Sequence, residues 1–204
     1  MRYLPGILFV LAWSACGTTH RNVLADEKNK EQETIHTFVF DTNYIATRFR
    51  TPVGNPPGVG YYDAQPFMRN THLGEDWNGN GGGNSDLGDT VYACANGYVH
   101  FAEDIKGGWG NVVRILHKLP KRSMYKEVES LYAHFDRVWV KKDTYVKIGT
   151  PIGTIGTAHN IYPAHLHFEM RHRTSMEIGG GYSTDTTGFL NPKAFIKAFN
   201  KNGF

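Results

Sequence analysis

A pair of histidines two residues apart is the first pattern in this 204-residue chain that points to chemistry. His165 and His167 flank Leu166 in a run typical of a β-strand, where side chains two positions apart point to the same face. Two imidazoles about 7 Å apart along the backbone can share a metal ion or a catalytic task. The spacing does not say which of the two histidines would bind a metal.

A second motif joins a histidine to a carboxylate, His72 and Asp76, with three residues between them. This spacing would place both side chains on one face of a helix, whereas Gly74 between them favours a turn or the end of a strand. Either geometry can bring an imidazole and a carboxylate to one metal ion. Glu75, the neighbouring acid, is predicted to face solvent.

A third candidate is His134, which closes a β-like run and therefore suits the wall of an active site. His159 lies in a loop near His165 and is a further candidate. Nothing in the sequence singles out the other histidines of the ten in the chain.

Zinc suits ligands of these types, because it binds imidazole nitrogen and carboxylate oxygen at about 2.0–2.2 Å. A catalytic zinc has three protein ligands and an open position for water, whose pKa it lowers toward about 7. A closed thiolate site is not expected, since Cys94 is solitary in an apolar run and is interpreted as a buried small hydrophobe. The chain also lacks His-Glu-x-x-His, which excludes the commonest helical zinc-protease plan.

The elements that must position these residues are mostly short strands. The chain has 23 glycines, few long apolar periodic runs and a length that suits one domain. The predicted strands are 35–40, 90–93, 97–101, 111–116, 129–134, 137–140 and 166–170. One helix is predicted over 192–200, with Asn191 as its cap and Pro192 in its first turn. The Gly/Asn-rich segment 78–84 is predicted to be a flexible loop that either borders the site or is a passive surface loop.

The first residues read as an export signal. Arg2 precedes an apolar stretch of about ten residues, which is too short to span a bilayer, and small residues come before Cys16. Cys16 in this position resembles the lipidated cysteine of bacterial lipoproteins; the alternative is ordinary secretion with cleavage elsewhere, for instance after Ala25. The predicted organisation is a signal peptide over 1–15, a lipidated Cys16 with a polar tether over 16–34, and one domain over 35–204.

The charge pattern excludes one class of partner. The formal net charge is +3, with 22 Lys and Arg spread among 19 Asp and Glu. No basic stripe and no nucleic-acid motif is present, so a nucleic-acid partner is not expected.

With these motifs in order, the sequence resembles the lysostaphin-type (LytM-like) zinc endopeptidases, which cut peptide cross-links of bacterial peptidoglycan. The pattern is His-x-x-x-Asp at His72, a lone histidine in Tyr-Ala-His at His134, and His-x-His at His165, and it covers about residues 68–172. Further landmarks of the resemblance are the segments 88–93, 95–99, 108–113 and 146–153. Three segments depart from the family pattern: the 78–84 loop, the 118–128 connection and 161–164.

The resemblance implies a role for each of five residues. His72, Asp76 and His167 would hold one zinc ion per chain, while His134 and His165 would orient water, stabilise the oxyanion and move protons. It also implies a small antiparallel β-sheet domain with a groove over the sheet. Together with the long loops and the short C-terminal helix predicted from the residues themselves, the expected fold is mainly all-β.

An active peptidoglycan endopeptidase is one of three hypotheses for the function. The second is a cell-envelope regulator, because some members of the family lose metal ligands and activate other wall hydrolases. The third, a domain that a metal merely stabilises, leaves His134 and His165 unexplained. The expected location is the cell envelope, as a monomeric lipoprotein of the outer or cytoplasmic membrane that faces the periplasm or the exterior.

Overall fold

Ten strands, a few short 3₁₀ turns and one α-helix form the secondary structure of residues 38–202, which are the residues that this computed structural model describes. The strands are β1 (Tyr61–Gln65), β2 (Glu75–Gly79), β3 (Thr90–Tyr92), β4 (Gly97–Asp104), β5 (Asn111–Lys118), β6 (Glu127–Val138), β7 (Thr144–Val146), β8 (Pro151–Ile155), β9 (Leu166–Arg171) and β10 (Phe189–Leu190). The helix, α1, runs over Pro192–Asn202. This mainly antiparallel β-fold with one short C-terminal helix confirms the predicted fold class.

The sheet places three sequence-distant strands side by side. Its order is β1-β2-β9-β6-β5-β4-β7, with β10 on β9 and the β3–β8 pair attached to β6, and every pairing is antiparallel. In this register His167 of β9 lies between Asp76 of β2 and Ala133 of β6. The stretches that carry the three sequence motifs therefore meet in the middle of the sheet.

The two faces of β9 have different tasks. Alternate residues of this strand lie in the main hydrophobic core, namely Leu166, Phe168 and Met170. His167, Glu169 and Arg171 therefore point to the opposite face, because successive strand residues alternate. The apolar face fixes the strand in the fold, and the polar face is free to carry a site.

The C-terminal helix closes the main core and begins as predicted. The amide of Ala194 donates to Asn191 Oδ1 at 2.9 Å, so Asn191 is the N-cap, and Pro192 is the first helical residue. Phe199 of α1 packs edge-on against Phe49, with ring centroids 4.9 Å apart. Within residues 38–202, no helix has both the length and the hydrophobicity needed to cross a membrane.

Glu75 corrects one prediction, because it is buried rather than solvent-facing, with 2% of its surface exposed. Its Oε1 accepts from the amide of Lys193 at 3.0 Å and its Oε2 from the indole of Trp77 at 3.2 Å. The start of α1 covers this side chain and supplies it with a backbone donor. Burial raises the pKa of Glu75 to about 7.

Two predicted strands also differ from the structure. The described part of the predicted strand 35–40, residues 38–40, contains no strand, and its first three residues lie outside the described part. The predicted strands 129–134 and 137–140 form one long strand, β6, which ends at Val138. β6 continues through the residues between the two predicted strands, with a register shift against β8 between Phe135 and Arg137.

Candidate active site

Strand pairing and one glycine bring the first motif against the second. Asp76 and His167 are direct partners in the β2–β9 register, and His72 lies just before β2, at the end of a short turn. A Cβ at Gly74 would lie 2.7 Å from Phe168 O and 2.9 Å from His167 Cε1, so only glycine fits there without movement. The sequence left two geometries open for His72 and Asp76, and the structure has the turn and strand end rather than the helix.

Three potential metal ligands form a small, buried triangle. His72 Nε2 lies 3.0 Å from His167 Nδ1, His167 Nδ1 lies 3.0 Å from Asp76 Oδ1, and His72 Nε2 lies 3.4 Å from Asp76 Oδ1. All three residues are buried, with Asp76 the most exposed at 9%. Within residues 38–202 this is the one group of at least three His, Cys, Asp or Glu side chains found suitable for a metal ion.

The donor chemistry of the triangle fits a cation. His72 Nδ1 lies 3.1 Å from Gln65 O and His167 Nε2 lies 3.0 Å from Glu169 Oε1. Since these oxygens can only accept, the single proton of each neutral ring lies on the outer nitrogen, and the inner nitrogen of the neutral ring then has a lone pair with which it can bind a cation shared with Asp76 Oδ1. Ligand atoms of a tetrahedral zinc with bonds of about 2.0–2.2 Å are about 3.3–3.6 Å apart. The observed separations approach this range, so the three residues fit zinc.

The protonation preferences of the triangle lead to the same conclusion. Burial lowers the pKa of His72, with Asp76 opposing that effect. For His167, burial also acts to lower the pKa, yet hydrogen bonds to Asp76 and Glu169 outweigh it and raise the pKa to about 9. The metal-free site therefore takes up a proton between its carboxylates, and a metal ion would displace that proton.

His165 and His134 stand beside the triangle without belonging to it. His165 Nδ1 lies 2.8 Å from Pro163 O, and its Nε2 lies 3.8 Å from Asp76 Oδ1. His134 Nδ1 lies 3.3 Å from Trp109 O, and the His134 ring is 4.7 Å from that of His165. Both histidines donate from Nδ1 to a carbonyl and thereby keep Nε2 unprotonated when neutral.

The backbone of β6 is unusual at His134, whose φ of 66° is in the left-handed region. A non-glycine residue rarely adopts this conformation, and such residues are frequent at functional sites. Burial lowers the pKa of His134 to about 3, with the neighbouring imidazoles of His167 and His165 acting in the same direction. The imidazole of His134 is therefore neutral near pH 7.

The remaining histidine candidate lies elsewhere. His159 is on an exposed loop, where its Nε2 is 3.0 Å from Asp104 Oδ1. It belongs neither to the triangle nor to the residues that line the cleft above it.

Two members of the triangle, Asp76 and His167, line an open cleft of about 440 Å³. Three aromatic side chains form its walls, and no lysine or arginine is among the described residues that line it. The lining residues are Gln65, Asp76, Gly108, Trp109, His134, Tyr162, Pro163, His165, His167, Gly180, Gly181 and Tyr182. The cleft can hold an extended, uncharged segment of substrate directly over the candidate metal ligands.

A family model described as Peptidase family M23 matches residues 71–178, just over half of the chain. The chain belongs to peptidase family M23. The matched segment contains all five predicted site residues, including the buried group of His72, Asp76 and His167 that could hold a metal ion.

Relatives of this M23 domain carry names of two kinds. "Lipoprotein NlpD" of Yersinia enterocolitica is 34% identical over 42% of this chain and 80% of its own length. "Murein hydrolase activator NlpD" of Salmonella dublin is 30% identical over 48% of this chain and 26% of its own length. "DD-carboxypeptidase/endopeptidase Mpg" of Neisseria meningitidis serogroup B is 30% identical over 62% of this chain and 25% of its own length. The chain spans about a quarter of the last two proteins.

A solved structure shares the fold of the M23 domain. The crystal structure of cbpa from L. salivarius REN aligns with a TM-score of 0.54 at 23% identity and covers 76% of this chain and 99% of that one. At this identity the similarity concerns the fold alone.

The residues that support the candidate ligand His167 by hydrogen bonds on the side away from the triangle were not predicted from the sequence. Glu169 accepts from His167 at 3.0 Å, and Arg171 donates to Glu169 Oε2 from Nε at 2.7 Å. A carboxylate behind a metal-binding histidine fixes its tautomer and ring orientation. The signal was present, because Glu169 and Arg171 continue the alternation of His165 and His167 along one face of β9.

Two segments that depart from the family pattern are joined beside His165. Asn84 Oδ1 accepts from the amide of Ala164 at 2.8 Å, and the Asn78 side-chain amide donates to Ala164 O at 3.1 Å. The Gly/Asn-rich segment therefore holds the backbone next to His165, although none of its residues lines the cleft. Neither of the two alternatives predicted for this loop describes that arrangement fully.

Proposed function

We propose that this chain is a zinc-dependent metalloendopeptidase that hydrolyses peptide cross-links of bacterial peptidoglycan. The observation that carries the proposal is the buried triangle of lone-pair atoms on His72, Asp76 and His167, with two further histidines at its edge. Zinc, when bound by these three residues, would polarise the scissile carbonyl and activate water.

The chain's own residues supply proton transfer in this proposal. His134 and His165 are held by carbonyl oxygens at Nδ1, so each keeps Nε2 available to take a proton from the attacking water and return it to the leaving amine. Once protonated, either imidazole also stabilises negative charge on the carbonyl oxygen. Both residues share the cleft with the triangle, so substrate bound there lies within their reach.

Cleavage within a peptide is favoured over removal of a C-terminal residue. Recognition of a terminal carboxylate is expected to use a cation, and the described lining of the cleft contains neither lysine nor arginine. The cleft is also open to solvent, so a chain can extend beyond it.

The test separates metal binding from chemistry. The purified chain from residue 17 onward should bind about one zinc per molecule and clear peptidoglycan. His167→Ala should lose both the metal and activity, whereas His134→Ala and His165→Ala should keep the metal and lose about 10²–10⁴-fold in rate. His159→Ala, which changes a histidine outside the cleft, is the matched control.

Each outcome has a clear meaning. Mass spectrometry of the released muropeptides identifies the bond that is cut. Full activity of His134→Ala would refute its proposed role in proton transfer. A zinc-loaded chain that clears no peptidoglycan would refute the proposed endopeptidase activity. The second candidate is a cell-envelope regulator, since one relative is named a murein hydrolase activator. It is supported if the zinc-free chain stimulates an added wall hydrolase.

We further propose that the chain is exported and anchored to a membrane by a lipid on Cys16, with residues 1–15 removed and 16–34 serving as a tether. These residues lie outside the described part of the chain; one relative is named a lipoprotein. Cys16→Ala should abolish incorporation of labelled fatty acid, and Cys94→Ala, which changes a buried cysteine, should not. Labelling of Cys16→Ala at the wild-type level would refute the anchor.

A further inference from the structure

A segment that begins where the matched family region ends forms one wall of the cleft. Residues 177–183, called here the strap, contribute Gly180, Gly181 and Tyr182 to the cleft lining. The indole of Trp109 donates to Gly179 O at 3.0 Å, which holds the middle of the strap across the cleft.

The far end of the strap lies against one candidate metal ligand. Tyr182 forms an antiparallel bridge with His72, and their ring centroids are 5.0 Å apart. The amide of Leu73 donates to Gly181 O at 2.9 Å, and the amide of Ser183 donates to Thr71 O at 2.9 Å. Displacement of this end would remove the backbone support on one side of His72.

The near end of the strap reaches a second candidate ligand through Arg171. This guanidinium donates from Nη1 to Glu177 O at 3.1 Å and from Nη2 to Ile178 O at 2.9 Å. The same side chain donates to Glu169, whose other oxygen accepts from His167 Nε2 at 3.0 Å. Arg171 and Glu169 are both fully buried, so no solvent can replace these partners.

We propose that Arg171 is a positioning residue that couples docking of the strap to metal binding, so that each stabilises the other. The inference rests on the metal site of the proposed function. Because the strap holds Arg171, Arg171 holds Glu169, and Glu169 orients His167, the docked strap selects the ring position that the triangle needs. By thermodynamic reciprocity, metal bound at the triangle favours the docked strap by the same factor. Metal binding then also favours the complete substrate wall that contains Tyr182.

The chain contains a matched control for this idea. Arg114 is also buried, donates to Glu129 Oε1 and donates to Met176 O at 2.7 Å, just before the strap. The Arg114–Glu129 pair has no contact with the metal ligands among its hydrogen bonds. Arg171→Lys keeps the positive charge beside Glu169 but cannot reach both strap carbonyls, and Arg114→Lys makes the same chemical change away from the site.

The experiment measures zinc affinity by competition with a chromogenic chelator and amide exchange of Ser183 with and without zinc, on the intact chain. Arg171→Lys should bind zinc about 10–100-fold more weakly, the range found when outer partners of metal ligands are changed. Arg114→Lys should stay within about twofold of wild type. In wild type, zinc should slow exchange at Ser183, and in Arg171→Lys most of that slowing should disappear.

Several results would overturn the coupling. It is wrong if Arg171→Lys binds zinc as tightly as wild type, if zinc leaves Ser183 exchange unchanged in wild type, or if Arg114→Lys weakens zinc equally. If Arg171→Lys does not fold, the wild-type exchange comparison alone decides. A wild-type chain that binds no zinc would refute both the metal site and the coupling, whereas a chain that binds zinc without cleaving peptidoglycan would refute only the proposed activity.

Discussion

Adding one methyl group at Gly74 is predicted to disturb the metal site more than the fold. Gly74 lies between His72 and Asp76, and its backbone passes close to β9. A Cβ there would meet Phe168 O at 2.7 Å, Glu169 Cγ at 2.9 Å and His167 Cε1 at 2.9 Å. Two of these three neighbours belong to the candidate ligand His167 and to the carboxylate behind it.

The size of the effect follows from these distances. Relaxing these contacts to about 3.4 Å requires a movement of about 0.5 Å for His167 and Glu169 and about 0.7 Å for Phe168 O, since van der Waals contacts lie at about 3.5–4.0 Å. Overpacking of this kind lowers the free energy of unfolding by about 1–3 kcal/mol. The lower entropy of alanine in the unfolded chain offsets about 0.4–1 kcal/mol of that loss. Each net kcal/mol lowers the Tm of a chain of this size by about 2–4 °C. A ligand shift of about 0.5 Å exceeds the tolerance of about 0.2 Å for metal bonds, so zinc affinity should fall more than tenfold.

The assay compares Gly74→Ala with Gly180→Ala. At Gly180 an added Cβ has no heavy atom within 4 Å, and its φ is not in the left-handed region. Thermal unfolding of the zinc-free chains gives the cost to the fold, and chelator competition gives the cost to the site. Gly180→Ala should be near neutral in both measurements. Wild-type zinc affinity in Gly74→Ala would show that the close approach to His167 does not position this ligand.

Three further predictions concern the core and the helix. Burial lowers the pKa of His117 to about 4. As the pH falls from 6.5 to 4, His117 therefore becomes protonated in the unfolded chain but stays largely neutral in the folded chain, which lowers the free energy of unfolding. Wild type should lose about 3 kcal/mol more stability over that interval than His117→Gln in urea unfolding. Burial raises the pKa of Cys94 to about 11, so iodoacetamide should label it in urea and not in the folded chain. Asn191→Ala should cost about 0.5–2 kcal/mol of unfolding free energy, because the amide of Ala194 loses its cap.

Residue types and their order carried most of the information about the ligands. The His-x-x-x-Asp and His-x-His motifs predicted a shared metal, and the structure brings His72, Asp76 and His167 within 3.4 Å of one another. Spacing alone left open which histidine of the pair enters the triangle. That choice depends on the register of β9 against β2, a long-range pairing that local sequence does not contain.

Burial by distant elements explains the predictions that were wrong or incomplete. Glu75 reads as an exposed acid beside Asp76, and only the arrival of α1, more than a hundred residues later, places the amide of Lys193 on it. The strap is equally invisible in local sequence, since its glycines read as an ordinary loop. Its place in the cleft depends on contacts to Trp109 and Arg171.

The two faces of β9 also bear on whether the candidate metal site of this chain is functional. Leu166, Phe168 and Met170 build the core, so the fold could survive replacement of every polar residue on the opposite face. Burying Glu169 and Arg171 carries a desolvation penalty that apolar residues of similar volume would avoid. A member that served only as a binding surface would still need Arg171 for the wall of the cleft, but it would have no use for the contact of Glu169 with His167, which ends at a candidate metal ligand. The presence of a buried carboxylate behind an intact triangle therefore favours a working metal site over a surface used for binding alone.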